Sequence, residues 1–234
     1  MAVLWEQWID GFDSTTTETG CTIDVDSAAP FPDTNKITAT IQSANDSEDR
    51  ATGNETTLAS LPQNDEGRLR FKFRTPVTFS LLANSTIVLI SNAVAGAVID
   101  LYITSAEKIG CFSSATTLQS ASLNQAGATV LSADTEYTVE VAWKGATDAT
   151  GFRRVWLNDV LEFETINLDM VAADDCDAAE MRLGIDHYDG GDASGWQAKI
   201  RMAQLSDDAA VQLTDPPSEP THTSLPRRGM AMVG

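Results

Sequence analysis

Apolar and polar positions alternate with a period of two along much of the chain. Leu69, Phe71 and Phe73 interleave with Arg68, Arg70, Lys72 and Arg74. Tyr137, Val139, Val141 and Trp143 interleave with Glu136, Thr138, Glu140, Ala142 and Lys144, and Ala97, Ile99, Leu101 and Ile103 with Val98, Asp100, Tyr102 and Thr104. Successive side chains of an extended strand point to opposite faces, so each run predicts a strand with one dry and one wet face. Antiparallel sheets tolerate that asymmetry, whereas parallel sheets are usually buried on both faces. Further strands are predicted at 3–9, 37–42, 79–82, 87–91, 110–113, 153–157, 160–164, 180–185 and 197–205, separated by stretches rich in Asp, Asn, Gly, Ser and Thr. No helical periodicity persists over three turns; Leu168 to Ala179 and Ser206 to Leu213 offer at most a short helix each.

About a dozen short strands must hide their dry faces against one another, as a two-sheet sandwich or a closed barrel. The pair Asn158-Asp159 between VWL and VLEF predicts a tight hairpin. From Asp215 the composition changes: four prolines and the adjacent Arg227 and Arg228 follow, with few large apolar residues. Proline removes a ladder donor and favours extended chain, so residues 1–214 read as the sandwich and 215–234 as an extended C-terminal arm. The arm's local positive charge would suit docking on an acidic neighbouring copy.

At 234 residues the chain is long enough for one full core without a metal or disulfide. Its formal net charge of −19 opposes nucleic acid, whose backbone attracts the opposite sign. Cys21, Cys111 and Cys176 form no close pair, so buried free thiols are expected rather than a zinc or redox site. The N-terminal MAVLWEQWIDGF has no basic segment or apolar run of leader length, and the stretch Ile87 to Leu101 is too short and polar to span a bilayer. The expectation is synthesis in the cytoplasm without a signal peptide, with incorporation in a virion as the route out of the cell.

Four segments carry a family resemblance: LWEQWIDGFD, GRLRFKFRT, TEYTVEVAWKG followed by FRRVWLNDVLEFETI, and MRLGIDHYDGGDASGWQAKIRMAQL. The chain, over about residues 1–207, resembles the concanavalin A-like, laminin-G-like jelly-roll superfamily. The resemblance implies an all-β, two-sheet antiparallel jelly-roll sandwich in which an early strand, residues 3–9, lies beside the last one, 197–205. It embraces lectins, glucanases, polysaccharide lyases and structural modules, some of them in bacteriophage virions. The carboxylate triplet E-x-D-x-E of its glucanases is missing. Its alginate and glucuronan lyases work with arginine, glutamine, histidine and tyrosine on a concave face; the basic strand at 68–74, with His187 and Tyr188, supplies residues of those types.

The basic strip Arg68, Arg70, Lys72 and Arg74 has two readings. One is cross-strand pairing with Glu136 and Glu140; the other, shared with Arg227 and Arg228, is an interaction surface for protein or an acidic ligand. Glu162 and Glu164 have the parity of a glycosidase pair but read first as solvated carboxylates. An exposed Trp8 or Trp156 would make a sugar platform, whereas Trp5, Trp143 and Trp196 suit the core. Asp186, Asp189 and Asp192 in DHYDGGD could converge on calcium, but read first as plain acidic loops. No other cofactor and no catalytic residue is nominated: no phosphate-cradling loop or Ser-His-Asp arrangement is present.

These readings converge on a non-enzymatic structural or interaction module, a virion component such as a capsid decoration or tail-associated protein. It would engage neighbouring protein subunits, as a homo-oligomer or in a virion, through its surface and its arm, without nucleic acid or membrane insertion. The alternative is a carbohydrate-binding module, polysaccharide lyase or glycoside hydrolase acting on a glycan through Trp8, Trp156, Glu162, Glu164, His187 and Tyr188.

Overall fold

The computed structural model describes residues 3–6, 12–18, 21–25, 36–41, 50–76, 84–92, 96–112, 125–146, 148, 150–168, 177–188, 196–210 and 213. Within them the strands are β1 (Val3–Glu6), β2 (Ser14–Thr17), β3 (Cys21–Val25), β4 (Lys36–Ile41), β5 (Ala51–Glu55), β6 (Glu66–Arg74), β7 (Ser85–Asn92) and β8 (Gly96–Ile103). They continue with β9 (Ile109–Phe112), β10 (Gln125–Ala126), β11 (Glu136–Lys144), β12 (Gly151–Leu157), β13 (Val160–Leu168), β14 (Glu180–Tyr188) and β15 (Gln197–Ser206). One 3-10 turn, Leu58–Ser60, is the only helical element among the described residues.

Two antiparallel sheets form a jelly-roll-like sandwich, as the alternation predicts. Sheet A runs β13-β12-β11-β6-β15-β4-β3, with β1 also paired to β15; sheet B runs β10-β9-β8-β7-β14-β5-β2. The dry residues of the alternating runs meet between the sheets. Leu69, Phe71 and Phe73 of β6 and Val139, Val141 and Trp143 of β11 pack against Ile99, Leu101 and Ile103 of β8 and Met181, Leu183 and Ile185 of β14. Trp143 lies over Gly67, its cross-strand neighbour, where an added Cβ would collide with the indole ring.

The early and late strands pair as expected, Trp5 opposite Leu205 and Glu6 opposite Gln204. Trp5 is fully buried and its ring centroid lies 5.2 Å from that of Phe12, tilted by 55°. The Asn158-Asp159 turn is the predicted hairpin: both residues have positive φ, 50° and 63°, the conformation of a type I′ turn whose twist matches the flanking strands.

Three local features depart from the alternation. β15 changes face at a bulge: Arg201 lies opposite Lys72 and Gln204 opposite Arg70, with Met202 at φ 55° taking up the extra residue. The polar β2 and the small-residue β5 form strands that periodicity does not announce. The segment after Ser206 makes a turn rather than a helix, with the Ser206 hydroxyl accepting from Asp208 N and the Asp208 carboxylate from Ala210 N. The helix expected within 168–179 falls mostly outside the described residues, as does the strand expected at 79–82. Cys21 and Cys111 are buried free thiols. Burial pushes the Cys111 thiol up to about 11, against the opposing pull of the Arg153 guanidinium.

Because Trp5 carries much of the contact between the first strand and the core, Trp5→Ala is expected to cost about 3–5 kcal/mol in urea unfolding. An unchanged unfolding midpoint would show that β1 does not help to close the sandwich.

Candidate functional site

Each sheet has an outward face lined with polar side chains, and the two differ in how their charges are used. On sheet A the basic strip of β6 lies directly across from β11: Arg74 opposite Glu136, Lys72 opposite Thr138 and Arg70 opposite Glu140. Glu140 bridges two arginines, accepting from Arg68 Nε and, at 2.7 Å, from Arg70 Nη1; the latter also reaches Asp159 at 2.7 Å. Arg70 and Glu140 are only 7% and 3% exposed, so this is a buried charge network rather than a solvated strip. Lys72 donates to the Thr138 hydroxyl at 2.6 Å, Arg74 pairs with Asp134 at 2.9 Å, and Arg201 pairs with Glu136 at 2.8 Å. Of the two expected carboxylate partners on β11, Glu140 is paired with Arg68 and Arg70, whereas Glu136 is taken by Arg201 of β15 and Arg74 turns to the exposed Asp134.

The remaining candidates on sheet A also have internal partners. Glu164 pairs with Arg154 at 3.1 Å. Glu162 clamps the segment beside β10, accepting from Ala128 N, Thr129 N and the Thr129 hydroxyl. Trp156 is half-buried with the Arg68 guanidinium 4.7 Å from its ring centroid.

On sheet B, β5, β14 and β7 lie side by side, so residues distant in sequence share one outward face. Leu183 and Ile185 point to the core, which leaves Glu180, Arg182 and Asp186 on the outer side. Asp186 is 6% exposed and is held by two arginines: Arg182 Nη1 at 3.0 Å and Arg50 Nε at 3.2 Å. Arg182 also binds Glu180 at 2.7 Å. Burial works against the Arg182 charge, but the hydrogen bonds and charges of Glu180 and Asp186 outweigh it and hold its pKa above the ordinary arginine value. Beside Arg182 in the register, Asn54 donates to the Thr16 hydroxyl at 2.8 Å and accepts from the Thr52 hydroxyl at 2.8 Å. On the other flank the Thr86 hydroxyl donates to Asp100 at 2.9 Å.

β14 is bent in the middle of this face. Gly184 has φ 135°, and an added Cβ would strike the Ala51 carbonyl oxygen. The register against β7 jumps there, from Leu183 opposite Val88 to His187 opposite Thr86, and Tyr188 follows opposite Ser85. The backbone of His187 and Tyr188 thus ends the strand that carries Arg182 and Asp186, on the sheet opposite to Arg68, Arg70, Lys72 and Arg74. The fold separates two groups that the family resemblance places on one concave face; the arginines on the sheet of His187 and Tyr188 are Arg182, on β14 itself, and Arg50, beside β5. Sequence reasoning missed these two; the only signal was the shared parity of Glu180, Arg182 and Asp186.

Trp8, Asp189, Asp192, Arg227 and Arg228 lie outside the described residues. Among the described residues no three His, Cys, Asp or Glu side chains converge as a metal site, and Asp186 is engaged by arginines. No helix among them is long and apolar enough to cross a membrane.

No protein-family model and no curated protein matches the chain. Solved structures do match. An endo-β-1,4-glucuronan lyase from the fungus Trichoderma reesei superposes with a TM-score of 0.68 at 14% identity, covering 88% of this chain and 96% of the lyase. An alginate lyase of family PL-14 from Aplysia kurodai gives 0.59 at 8% identity, covering 88% and 99%. A botulinum neurotoxin type C structure, described as depending on two ganglioside molecules for cell entry, gives 0.53 at 12% identity, covering 85% of this chain and 44% of the toxin chain.

These matches correct the expectation of a non-enzymatic structural protein, capsid decoration or tail-associated virion module, and with it the lean away from an enzyme. They favour the carbohydrate alternative. Contiguous motifs carry no trace of such contacts, because a sheet face gathers its groups from separate strands: Arg50 and Asp186 meet although 136 positions apart. The chain is an all-β, two-sheet antiparallel sandwich that resembles the jelly-roll fold of these lyases.

Glu140→Gln leaves Arg68 and Arg70 without their shared buried countercharge and is expected to cost about 3–5 kcal/mol in denaturant unfolding. Asp134→Asn, at the exposed Arg74 pair, is expected to cost less than about 1 kcal/mol. Equal effects would mean that the β6 network is not buried in solution.

Proposed function

We propose that the chain binds an acidic polysaccharide across the outer face of sheet B and cleaves it by β-elimination. The observation that carries this reading is the arrangement of Arg50, Asn54, Arg182 and Asp186 beside the β14 positions of His187 and Tyr188. The whole-length match to a glucuronan lyase supports the substrate class, and the alginate lyase match extends it to uronate polymers generally.

The chemistry asks for few groups. A cation or amide donor beside the uronate carboxylate makes the proton on the neighbouring carbon removable; Arg50, Arg182 and Asn54 fill that role. His187 acts as the base that takes this proton, and the C–H electron pair becomes the new C=C bond. The glycosidic C–O bond at the β position breaks, its electron pair stays on the leaving oxygen, and the protonated His187 returns the proton that oxygen needs. Neither water nor a redox partner is consumed. The Arg50–Asp186–Arg182 clamp ties this part of β14 to the start of β5.

Incubation with glucuronan, alginate and a neutral β-glucan, read by the ultraviolet absorbance of the unsaturated uronic acid, tests the proposal. Absorbance is expected to rise with an acidic polymer and not with the neutral one, and His187→Ala is expected to lower the rate by about 10²–10⁴-fold. Binding without cleavage would overturn the elimination step and leave a glycan-binding module. Absence of both binding and cleavage would overturn the whole reading.

A further inference from the structure

Sheet A carries an uncovered apolar strip that a glycan on sheet B would not touch. Among the described residues five large apolar side chains are exposed, and three of them, Val160, Leu161 and Ile166, belong to β13 at 65%, 45% and 50%. β13 is also the edge of its sheet. On the neighbouring β12, Trp156 lies opposite Leu161 and Phe152 opposite Ile166, with the Arg154–Glu164 pair between them. The outward side of this hairpin thus presents two aromatic-aliphatic pairs flanking one ion pair. Arg68 and Arg154 lie over the rings of Trp156 and Phe152 at 4.7 and 4.3 Å. An exposed apolar face on an edge strand invites a partner.

The chain's own course leads to this strip. After β15 it passes the outer end of β6, where Arg68 Nη1 donates to the Ala209 carbonyl at 3.2 Å, and Leu213 is 3% exposed. Arg68 is the residue whose guanidinium stacks on Trp156, so at Ala209 the chain passes beside the strip. Residues 214–234 follow, and the three interstrand steps from β6 to β13 amount to ~14 Å, about five residues of extended chain. The segment LPRRGMAMV at 225–233 holds Leu225, Met230, Met232 and Val233 with Arg227 and Arg228 among them. Glu164 within the strip is 40% exposed and Asp159 at the hairpin turn 64% exposed, each with one arginine already against it. Apolar residues and charges are complementary between the two. A second copy of the chain, by contrast, would bring −19 against −19.

We propose that residues 225–233 fold back onto the Phe152, Trp156, Leu161 and Ile166 strip of their own chain, with Arg227 and Arg228 against Glu164 and Asp159. The arm is then an intramolecular cover for the β13 edge, independent of the glycan reading.

Cross-linking in the full-length chain tests this. On a Cys176→Ser background, Leu161→Cys paired with Met230→Cys is expected to form an intramolecular disulfide under mild oxidation, independent of protein concentration. Ser105→Cys, exposed in a turn of sheet B, paired with the same Met230→Cys is expected not to. Equal cross-linking from both positions, none from Leu161→Cys, or only concentration-dependent dimers would each overturn the proposal. In a second measurement, Met230→Asp with Met232→Asp is expected to speed amide exchange along β13 by about tenfold or more, and unchanged exchange would contradict a cover at that edge.

Discussion

The sandwich depends on β15, the last strand among the described residues and a central one in space. It pairs on one side with β6 and on the other with β4 and β1, so half of sheet A is held together only once residues 197–206 are in place. Such long-range pairing incurs its loop-closure entropy before contacts reward it, which makes the fold slow and all-or-none. The bulge at Met202 is part of the same constraint. Without the extra residue, Ala203 and Leu205 would face outward and Gln204 and Ser206 inward; with it, both halves of the strand bury their apolar side.

Much of this was legible in the sequence, and what was not has physical reasons. β6, β11 and β12 alternate because one face packs into the core and the other carries mostly polar side chains, and Arg70 and Arg74 of β6 lie opposite the β11 carboxylates Glu140 and Glu136. The Asn158-Asp159 turn was legible because few residues tolerate the left-handed region. β5 was not, since all five residues of ATGNE are buried and none is large, so no alternation marks it. The bulges at Met202 and Gly184 were equally silent: a single extra residue changes which face a side chain takes without changing composition. The candidate site suffered most, because Arg50 becomes a neighbour of Asp186 only through the pairing of β5 with β14, while Arg182 reaches it along its own strand past the bend at Gly184.

Charge gives the two sheets different roles. On sheet A the buried Arg68–Glu140–Arg70 cluster, tied to Asp159 in the hairpin turn, fixes register and leaves little for a ligand. On sheet B the same ingredients, two arginines and two carboxylates, stand more open: the Arg50 and Arg182 side chains keep 27% and 22% exposure. The formal charge of −19 that argues against nucleic acid also repels a polyanionic glycan at long range. Association with such a glycan therefore rests on close contact at these arginines rather than on steering.

Location of the bound glycan is the most direct check of that division. Backbone amide chemical shifts recorded while an acidic oligosaccharide is titrated in should move along β5, β7 and β14, around Asn54, Thr86 and Arg182. Shifts confined to β6, β11 and β12 would place the ligand on sheet A, over the buried Arg68–Glu140–Arg70 cluster, and would contradict the account.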